Sequence, residues 1–295
     1  MTFRSGFVAI VGRANVGKST LLNALVGQKL AIVSAKPHTT RHKLLGVLNG
    51  EGFQAALLDT PGYLRHSRDQ LDNVMARQIA SAFAEADLVL LVVEARPAGD
   101  VEQNFISQVK ASKRPAVLAI NKIDLIAKPK LLPVMAGYAE MDAFADIVPT
   151  SAVTGDGIDV LVERLAVWLP EQEAIFPPEQ LTDRPAAYLM GEIIREKVFS
   201  LYREEVPYDV AVEVEAYEER QGTAPDLLQA TVHVGSNSQK QVLIGKGGLA
   251  IKQVGVEARP EIEAMAGRPV YVELWVKVSP AWRKKAGFVQ RTLQP

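Results

Sequence analysis

A glycine-rich segment near the amino terminus has the clearest chemical signature in the chain. Residues 12–19 read Gly-Arg-Ala-Asn-Val-Gly-Lys-Ser and fit the pattern G-x-x-x-x-G-K-S/T. The segment follows an apolar run, Phe7–Val11, and precedes a helix-like stretch, which is the context that a phosphate-binding loop requires. We expect Lys18 to reach the β- and γ-phosphates and Ser19 to bind Mg²⁺, while the helix start adds partial positive charge. The expected nucleotide contacts in this segment are Gly12, Arg13, Ala14, Asn15, Val16, Gly17, Lys18, Ser19 and Thr20. The alternative is a glycine turn that only begins a helix.

A second polar segment, Asp59-Thr60-Pro61-Gly62, comes directly after another apolar run. Asp59 is placed to meet the Mg²⁺ ion, and the Gly62 N–H is placed to meet a γ-phosphate. Asp-x-x-Gly alone is a common turn, so its meaning depends on the phosphate-binding loop earlier in the chain. Together the two segments predict a site for a nucleoside triphosphate and a metal.

A third segment predicts which base is bound. Asn121-Lys122-Ile123-Asp124 ends the apolar run Val117–Ile120. The Asp124 carboxylate can accept two N–H bonds from guanine, a geometry that adenine does not offer, and Lys122 can lie over the base. Ser151-Ala152 follows another apolar run, so the Ala152 N–H is expected to meet the guanine O6. These positions predict a guanine nucleotide and disfavour an ATP-dependent kinase.

The carboxyl-terminal part contains a second glycine loop of a different kind. Gly245-Lys246-Gly247-Gly248 joins two helical stretches and fits the G-x-x-G loop of KH domains, which clamps about four nucleotides of RNA backbone. Bases are expected beside Leu249–Val254 and the adjacent strand. The expected RNA contacts are Lys240, Ile244, Gly245, Lys246, Gly247, Gly248 and Lys252. The alternative is an ordinary turn between helices.

Charge is distributed unevenly around that loop, although the whole chain has a net charge of only −1. Residues 236–295 contain ten Lys/Arg and four Asp/Glu, whereas residues 186–235 contain four and ten. A basic half that carries the glycine loop is typical of a phosphate-binding face. An ordinary solvated surface is the alternative.

Elements that could position these residues follow from apolar patterning. Short apolar runs alternate with helix-like stretches over the first 170 residues, which predicts an α/β domain with a mostly parallel sheet and helices on both faces. Strands are expected at Phe7–Val11, Ala55–Leu58, Leu88–Val93, Val117–Ile120 and Ile147–Pro149, and helices at Ser19–Val26, Leu71–Ala84, Val101–Val109 and Ile158–Leu169. Asn49-Gly50-Glu51-Gly52 predicts a hairpin, so one strand is expected to be antiparallel.

The second half has a different rhythm and predicts an α+β domain. The expected division is residues 1–170 for the first domain, 171–185 for a proline-rich linker and 186–295 for the second domain. Helices are expected at Ala186–Tyr202, Ser238–Ile244, Leu249–Met265 and Ala281–Leu293, and strands at Val210–Glu215, Leu228–Val234 and Val270–Val278.

Composition excludes several classes of protein. The 295 residues include no cysteine, which excludes disulfides and thiolate metal sites. No apolar run approaches the ~20 residues that a membrane-spanning helix needs, and the amino terminus lacks the apolar core of a signal peptide. We therefore expect a soluble protein whose membrane contact, if any, is peripheral.

The nucleotide motifs, in this order, resemble those of the translation-factor class of small GTPases. With the KH-like segment they resemble the Era family of bacterial ribosome-assembly GTPases, and the likeness covers nearly the whole chain. It implies hydrolysis of GTP to GDP with Mg²⁺ and binding to the 3′ end of 16S ribosomal RNA during 30S subunit assembly. It also implies a monomer in the cytoplasm, with peripheral association at the inner membrane.

The resemblance also assigns roles to single residues. Lys36–His42 lies where such GTPases keep a first switch loop, and Thr40 is the expected Mg²⁺ ligand there, with Thr39 as the alternative. Asn15 stands where related GTPases bind K⁺, although it could instead only tie the loop together. The expected catalytic residues are Lys18, Thr40, Asp59, Gly62 and Asn15.

Two residues depart from the family pattern, and a third bears on the rate of hydrolysis. Ala14 replaces a usual proline and His38 a usual glutamine. Tyr63 follows Gly62 and is poorly suited to orient water, so slow intrinsic hydrolysis is expected.

Two alternative functions stay open. One is a GTPase acting on tRNA or large-subunit RNA, and the other is an RNA chaperone whose conformation the nucleotide locks without being turned over. Multiple-turnover GTP hydrolysis would separate the enzyme from the chaperone.

Overall fold

Alternating strands and helices in the first half of the chain form one six-stranded sheet. The computed structural model describes residues 2–34, 36, 39–62 and 70–293. Its elements here are β1 (Arg4–Val11), α1 (Lys18–Val26), β2 (Leu44–Gly50), β3 (Phe53–Asp59), α2 (Gln70–Glu85), β4 (Leu88–Glu94), α3 (Asp100–Ser112), β5 (Ala116–Asn121), α4 (Lys128–Ala139), β6 (Asp146–Pro149) and α5 (Ile158–Trp168). The strand order is β2-β3-β1-β4-β5-β6.

Only the β2–β3 pair in this sheet is antiparallel among the described residues, and the turn between Gly50 and Phe53 joins the two strands. The predicted hairpin and mostly parallel sheet are therefore confirmed. Apolar side chains fill both faces, as expected for a parallel sheet covered by helices on both sides. Because β1, β3, β4, β5 and β6 run in the same direction, their carboxyl ends meet at one edge, where the predicted motifs lie.

Helix α4 was not predicted. Its sequence contains Pro133, and of its side chains only Tyr138 is fully buried, so the usual apolar spacing of a helix is weak. After α5, the proline-rich segment lies against this sheet: the Gln54 side chain accepts hydrogen bonds from the N–H groups of Ile175 and Phe176, both 2.8 Å. The Val47 N–H donates to the Leu181 carbonyl at 2.8 Å. Backbone contacts divide the chain into two units, and the first extends through Asp183.

Residues from Arg184 onward belong to the second unit, together with the described part of Ile32–Thr39. Its elements are α6 (Ala186–Leu201), β7 (Val210–Glu218), β8 (Asp226–Val234), α7 (Asn237–Ile244), α8 (Leu249–Ala266), β9 (Val270–Val278) and α9 (Ala286–Leu293). The sheet order is β7-β8-β9, with β8 antiparallel to β7 and parallel to β9. Helices α6 and α8 share one apolar core with this sheet, and Val232, Val254 and Ile194 are fully buried in it.

In the second unit, two predicted elements differ from the structure by three residues or more. Strand β7 was predicted to end at Glu215 but extends to Glu218. A bulge between Val214 and Ala216 interrupts the alternation of apolar and polar residues by which strands are recognised, so the sequence pattern hides the end of this strand. The predicted helix Ala281–Leu293 is broken, since Ala281 has a φ of 52° and a short 3₁₀ turn precedes α9. Trp282 in that turn is fully buried and donates to the Asp209 carbonyl at 3.2 Å. Within the residues described, no helix has the length and apolar character that crossing a bilayer requires.

Candidate functional site

The glycine loop between β1 and α1 fits tightly against its neighbours. A Cβ atom at Gly12 would lie 2.3 Å from the Val92 carbonyl oxygen, and one at Gly17 would lie 2.3 Å from Asn121 Nδ2. Both glycines also have positive φ, at 151° and 97°, where side chains are strained. Larger residues would therefore push the loop away from the sheet edge. A Cβ at Gly62 would lie 2.7 Å from the Ala14 Cα, so the two predicted phosphate-binding segments are adjacent.

Two residues of opposite charge are buried beside this loop: Lys18, at the start of α1, and Asp59, at the end of β3. Lys18 Nζ donates to the carbonyl oxygens of Gly12 and Arg13 at 3.2 and 3.0 Å. Burial lowers the pKa of Lys18 to about 8, while the nearby Asp59 carboxylate opposes that shift. Burial raises the pKa of Asp59 to about 6, against the attraction of Lys18 and a hydrogen bond from Ser19. Burial therefore outweighs the attraction between Lys18 and Asp59 in setting both pKa values.

Hydroxyl and carboxylate oxygens converge beside Lys18. Ser19 Oγ lies 2.7 Å from Asp59 Oδ2 and 2.7 Å from Thr40 Oγ1. Asp59 Oδ1 is buried with no hydrogen-bond partner. Thr39 is arranged differently, because its hydroxyl donates to the Lys36 carbonyl at 2.7 Å. The structure thus brings Thr40, and not Thr39, to Ser19 and Asp59. Three hard oxygen donors with one unsatisfied carboxylate oxygen suit Mg²⁺.

The predicted base-binding residues form a second group at the same sheet edge. Asn121 Nδ2 donates to the Val16 carbonyl at 2.9 Å, and Asn121 Oδ1 accepts from the Ala152 N–H at 3.0 Å. Asn121 therefore ties the phosphate-binding loop to the loop after β6. Because the Ala152 N–H already donates to Asn121, its contact with guanine O6 stays a prediction.

Asp124 and Lys122 are each held by a partner. Ser151 Oγ donates to Asp124 Oδ1 at 2.6 Å, so the serine orients the predicted guanine-binding carboxylate. Lys122 Nζ donates to the Asn15 carbonyl and to Glu94 Oε1, both at 2.6 Å. The sequence assigned Ser151 only a place beside Ala152 and did not point to Glu94. The one sequence signal for Glu94 was that an acidic residue ends an apolar strand.

In the second unit, the loop between α7 and α8 presents backbone rather than side chains. Gly245, Gly247 and Gly248 have φ values of 70°, 60° and 78°. A Cβ at Gly245 would lie 2.6 Å from Ala250 Cβ, whereas one at Gly247 or Gly248 would meet nothing within 4 Å. Gly245 thus keeps the loop close to α8, and the space outside the other two is open. Tyr202 Oη donates to the Leu243 carbonyl at 2.8 Å and anchors the end of α7.

A groove of about 320 Å³ lies between α8 and β9. Apolar side chains and two basic ones line it: Ile251, Lys252, Gly255, Val256, Arg259, Tyr271, Val272 and Leu274. Gly255 leaves room on the helix side, since a Cβ there would approach only Leu274, at 3.6 Å. The groove coincides with the place where bases were expected, beside the start of α8 and the adjacent strand. Apolar walls with charged rims suit unstacked bases and their phosphates.

Comparisons with known proteins agree for both units. A family model described as "50S ribosome-binding GTPase" matches residues 7–122, and one described as "KH domain" matches residues 205–283. GTPase Era of Geobacter metallireducens is 45% identical over 281 residues, covering 95% of this chain and 94% of that protein. GTPase Era of Syntrophus aciditrophicus is 41% identical, with 96% and 92% covered. This chain belongs to the Era family of GTPases.

Solved Era structures have the same fold over nearly their full length. Aquifex aeolicus Era bound to GDP·AlF₄⁻, a tyrosine-to-alanine variant, is 38% identical with a TM-score of 0.93, covering 98% of this chain and 99% of that one. Era in complex with MgGDPNP and nucleotides 1506–1542 of 16S ribosomal RNA is 38% identical with a TM-score of 0.94, covering 98% of both. The predicted fold, an α/β GTPase domain followed by a KH domain, is confirmed, and the chain is a GTPase.

The structure describes only one of the three residues that were compared with the family pattern. Ala14 lies beside Gly62, since a Cβ atom built at Gly62 would be 2.7 Å from the Ala14 Cα. That the exchange of proline for Ala14 removes no ligand from the phosphate-binding loop stays a prediction. His38 and Tyr63 lie outside the described residues. The expected slow hydrolysis caused by Tyr63 therefore stays a prediction.

Proposed function

We propose that the first unit binds GTP with Mg²⁺ at the sheet edge formed by β1, β3, β4, β5 and β6. The observation that supports this is the convergence of Ser19, Thr40 and Asp59 beside the buried Lys18. Ser19, Thr40 and Asp59 would hold the metal, which when bound neutralises charge on the β- and γ-phosphate oxygens. Solved Era structures with MgGDPNP and with GDP·AlF₄⁻ support the binding of a guanine nucleotide, and the first of them also supports Mg²⁺.

Hydrolysis in this arrangement depends on positioning and on charge. Lys18 Nζ contacts the carbonyl oxygens of Gly12 and Arg13 in the loop. It would stabilise charge that develops on the phosphate oxygens, as would the Gly62 N–H. The adjacent helix start adds partial positive charge. Little covalent chemistry is required of the protein, because the attacking water and leaving group need mainly alignment and charge neutralisation.

The two neighbouring threonines provide the sharpest test of this assignment. Thr40→Ala removes a hydroxyl 2.7 Å from Ser19 Oγ, whereas Thr39→Ala removes one that donates to the Lys36 carbonyl. We expect Thr40→Ala to reduce GTP turnover by about 10²-fold, a size typical of losing one transition-state contact, and Thr39→Ala to change it little. Equal turnover in both variants would remove Thr40 from the site. The variants are compared by phosphate release at saturating Mg²⁺.

For the second unit, we propose that it binds the 3′ end of 16S ribosomal RNA during 30S subunit assembly. Support comes from the exposed glycine loop beside the groove between α8 and β9, and from the solved Era complex with nucleotides of 16S ribosomal RNA. The RNA backbone would lie on Gly245–Gly248, with Lys246, Lys240 and Lys252 adding positive charge. The bases would enter the groove between α8 and β9.

Competition between RNAs tests that target. A short single-stranded RNA with the 16S 3′-end sequence is expected to bind at least tenfold more tightly than a scrambled RNA of equal length, measured by fluorescence anisotropy. A tRNA and a large-subunit RNA fragment serve as competitors. Preferential binding of either competitor would replace the proposed target while leaving the RNA-binding role of the loop in place.

The location and assembly state stay predictions. We propose a cytoplasmic monomer with peripheral association at the inner membrane. Sedimentation of the purified protein, with and without anionic vesicles, measures both properties.

A further inference from the structure

An acidic side chain stands at the end of strand β4, directly beside the base-binding segment. Glu94 is the last residue of β4 and pairs in register with Asn121, the last residue of β5. The parallel pairing therefore places Glu94 next to the residue that precedes Lys122. Glu94 Oε1 accepts a hydrogen bond from Lys122 Nζ at 2.6 Å.

Lys122 is held at both the backbone and the side chain. Its φ of 64° lies in the left-handed region, which non-glycine residues rarely adopt. Its Nζ donates to the Asn15 carbonyl in the phosphate-binding loop as well as to Glu94. A lysine side chain has several flexible bonds, so one contact alone would leave its methylene groups in several rotamers. Two acceptors at 2.6 Å select one of these.

Glu94 is itself fixed from its other side. Arg96 Nε lies 3.7 Å from Glu94 Oε2, and Arg96 Nη2 donates to Glu102 Oε1 at 2.8 Å. Glu102 is buried and accepts from the Gly99 N–H at 3.0 Å, where it caps the start of α3. Lys122, Glu94, Arg96 and Glu102 thus form a row of alternating charges. This row connects the predicted base-binding lysine to the start of α3.

We propose that Glu94 is a positioning residue for guanine-nucleotide binding, acting through Lys122. By fixing Nζ, Glu94 keeps the lysine methylene groups where they can cover one face of the base and keeps Nζ on the Asn15 carbonyl. The inference rests on the proposed nucleotide site. GDP and GTP share the base, so loss of Glu94 weakens both equally and raises KM for GTP, while kcat changes by less than twofold.

The experiment compares Glu94→Gln and Glu94→Ala with the wild type. Glu94→Gln keeps the shape of the side chain and removes its charge. It is expected to weaken the binding of GDP and GTP by about fivefold, the size of a partly exposed ion pair. Glu94→Ala removes the acceptor and should weaken both further. Glu171→Gln is the matched control. Glu171 forms an ion pair of 3.1 Å with Arg4, which lies at the amino end of β1, whereas the nucleotide motifs lie at the carboxyl ends of the strands. This variant should leave nucleotide affinity unchanged. Affinities come from displacement of a fluorescent GDP, and melting temperatures confirm folding.

A double-mutant cycle with Lys122→Ala decides whether the effect passes through the lysine. Glu94→Gln is expected to have no further effect on GDP affinity in the Lys122→Ala background, and an undiminished effect there overturns the inference. Wild-type affinity in the single Glu94 variants also overturns it. The proposed site is tested separately by Asp124→Asn: unchanged guanine affinity there refutes the site itself, whereas weakened affinity with silent Glu94 variants refutes the inference alone.

Discussion

The Ser19 hydroxyl donates a hydrogen bond of 2.7 Å to Asp59 Oδ2 and so joins the start of helix α1 to the end of strand β3. The other oxygen of that carboxylate is buried without a partner. A nearby cation stabilises the charged form of this carboxyl group, whereas burial destabilises it. Its protonation state should therefore control metal binding.

Mg²⁺ affinity is expected to depend on pH through Asp59. Its pKa is raised from 3.8 to about 6, mainly by burial. The metal needs the carboxylate, which dominates above pH 6, so apparent affinity should be constant at higher pH and fall about tenfold per unit well below 6. The measurement is a Mg²⁺ titration of nucleotide binding between pH 5 and 8. Since a terminal phosphate titrates near pH 6 as well, Asp59→Asn is the control that isolates the protein's contribution. An equal pH dependence in both proteins would contradict the prediction.

Guanine specificity is expected to depend on Asp124. Asp124→Asn should weaken GTP binding by about 10²–10³-fold, because the N–H donors of the buried guanine base lose their acceptor. The variant should instead favour xanthosine triphosphate, whose extra oxo group accepts a hydrogen bond from the new amide. Ser151→Ala should have a smaller effect in the same direction, since Ser151 orients Asp124 through a 2.6 Å bond. Competition of GTP and xanthosine triphosphate against a fluorescent nucleotide reports both changes. A mutant that still prefers GTP would refute the role of Asp124.

Sequence patterns recovered the nucleotide motifs because each is local. A polar residue at the end of an apolar run is visible in the sequence, and parallel strands bring such ends to one edge. Contacts between segments were not recoverable in this way. The Glu94–Lys122 bond depends on the register of β4 with β5, and the Ser151–Asp124 bond joins residues 27 positions apart. No local pattern reports either relationship.

The missed elements have similar physical reasons. Pro133 in α4 and the bulge in β7 both break the spacing by which an element is recognised. The proline-rich segment after α5 has no period of its own, yet it is ordered by the side chain of Gln54, more than 100 residues earlier. In that segment a tertiary contact, and not a local sequence pattern, fixes the backbone.

Potassium dependence is the expected consequence if Asn15 binds a cation beside the phosphates. A K⁺ ion there would act as an arginine finger does, an effect worth about 10³–10⁵ in rate elsewhere. The φ of 66° at Asn15 and the Lys122 bond to its carbonyl fix this residue within the loop. GTP turnover is compared in KCl and NaCl at equal ionic strength, for the wild type and Asn15→Ala. Turnover that ignores the cation leaves Asn15 as a residue that only ties the loop together.

RNA binding is expected to fail in Gly247→Asp. Gly247 has a φ of 60°, which aspartate and asparagine tolerate better than other residues, and a Cβ there meets nothing within 4 Å. The variant should therefore fold, and its carboxylate should repel the RNA phosphates and abolish binding of a short single-stranded RNA. Gly247→Asn is the matched control with the same shape and no charge, and it should retain most of the affinity. Lys246→Ala should weaken binding moderately and flatten the salt dependence by about one phosphate contact.

Two measurements on one preparation interpret the Gly247→Asp result. RNA affinity is measured by fluorescence anisotropy, and GTP affinity by nucleotide displacement. Because the loop belongs to the second unit and the nucleotide residues to the first, GTP affinity should stay at the wild-type value. Any stimulation of GTP hydrolysis by RNA should disappear in the same variant. A folded Gly247→Asp protein that still binds RNA as tightly as the wild type would show that the glycine loop does not bind the backbone, and the second unit would need another function.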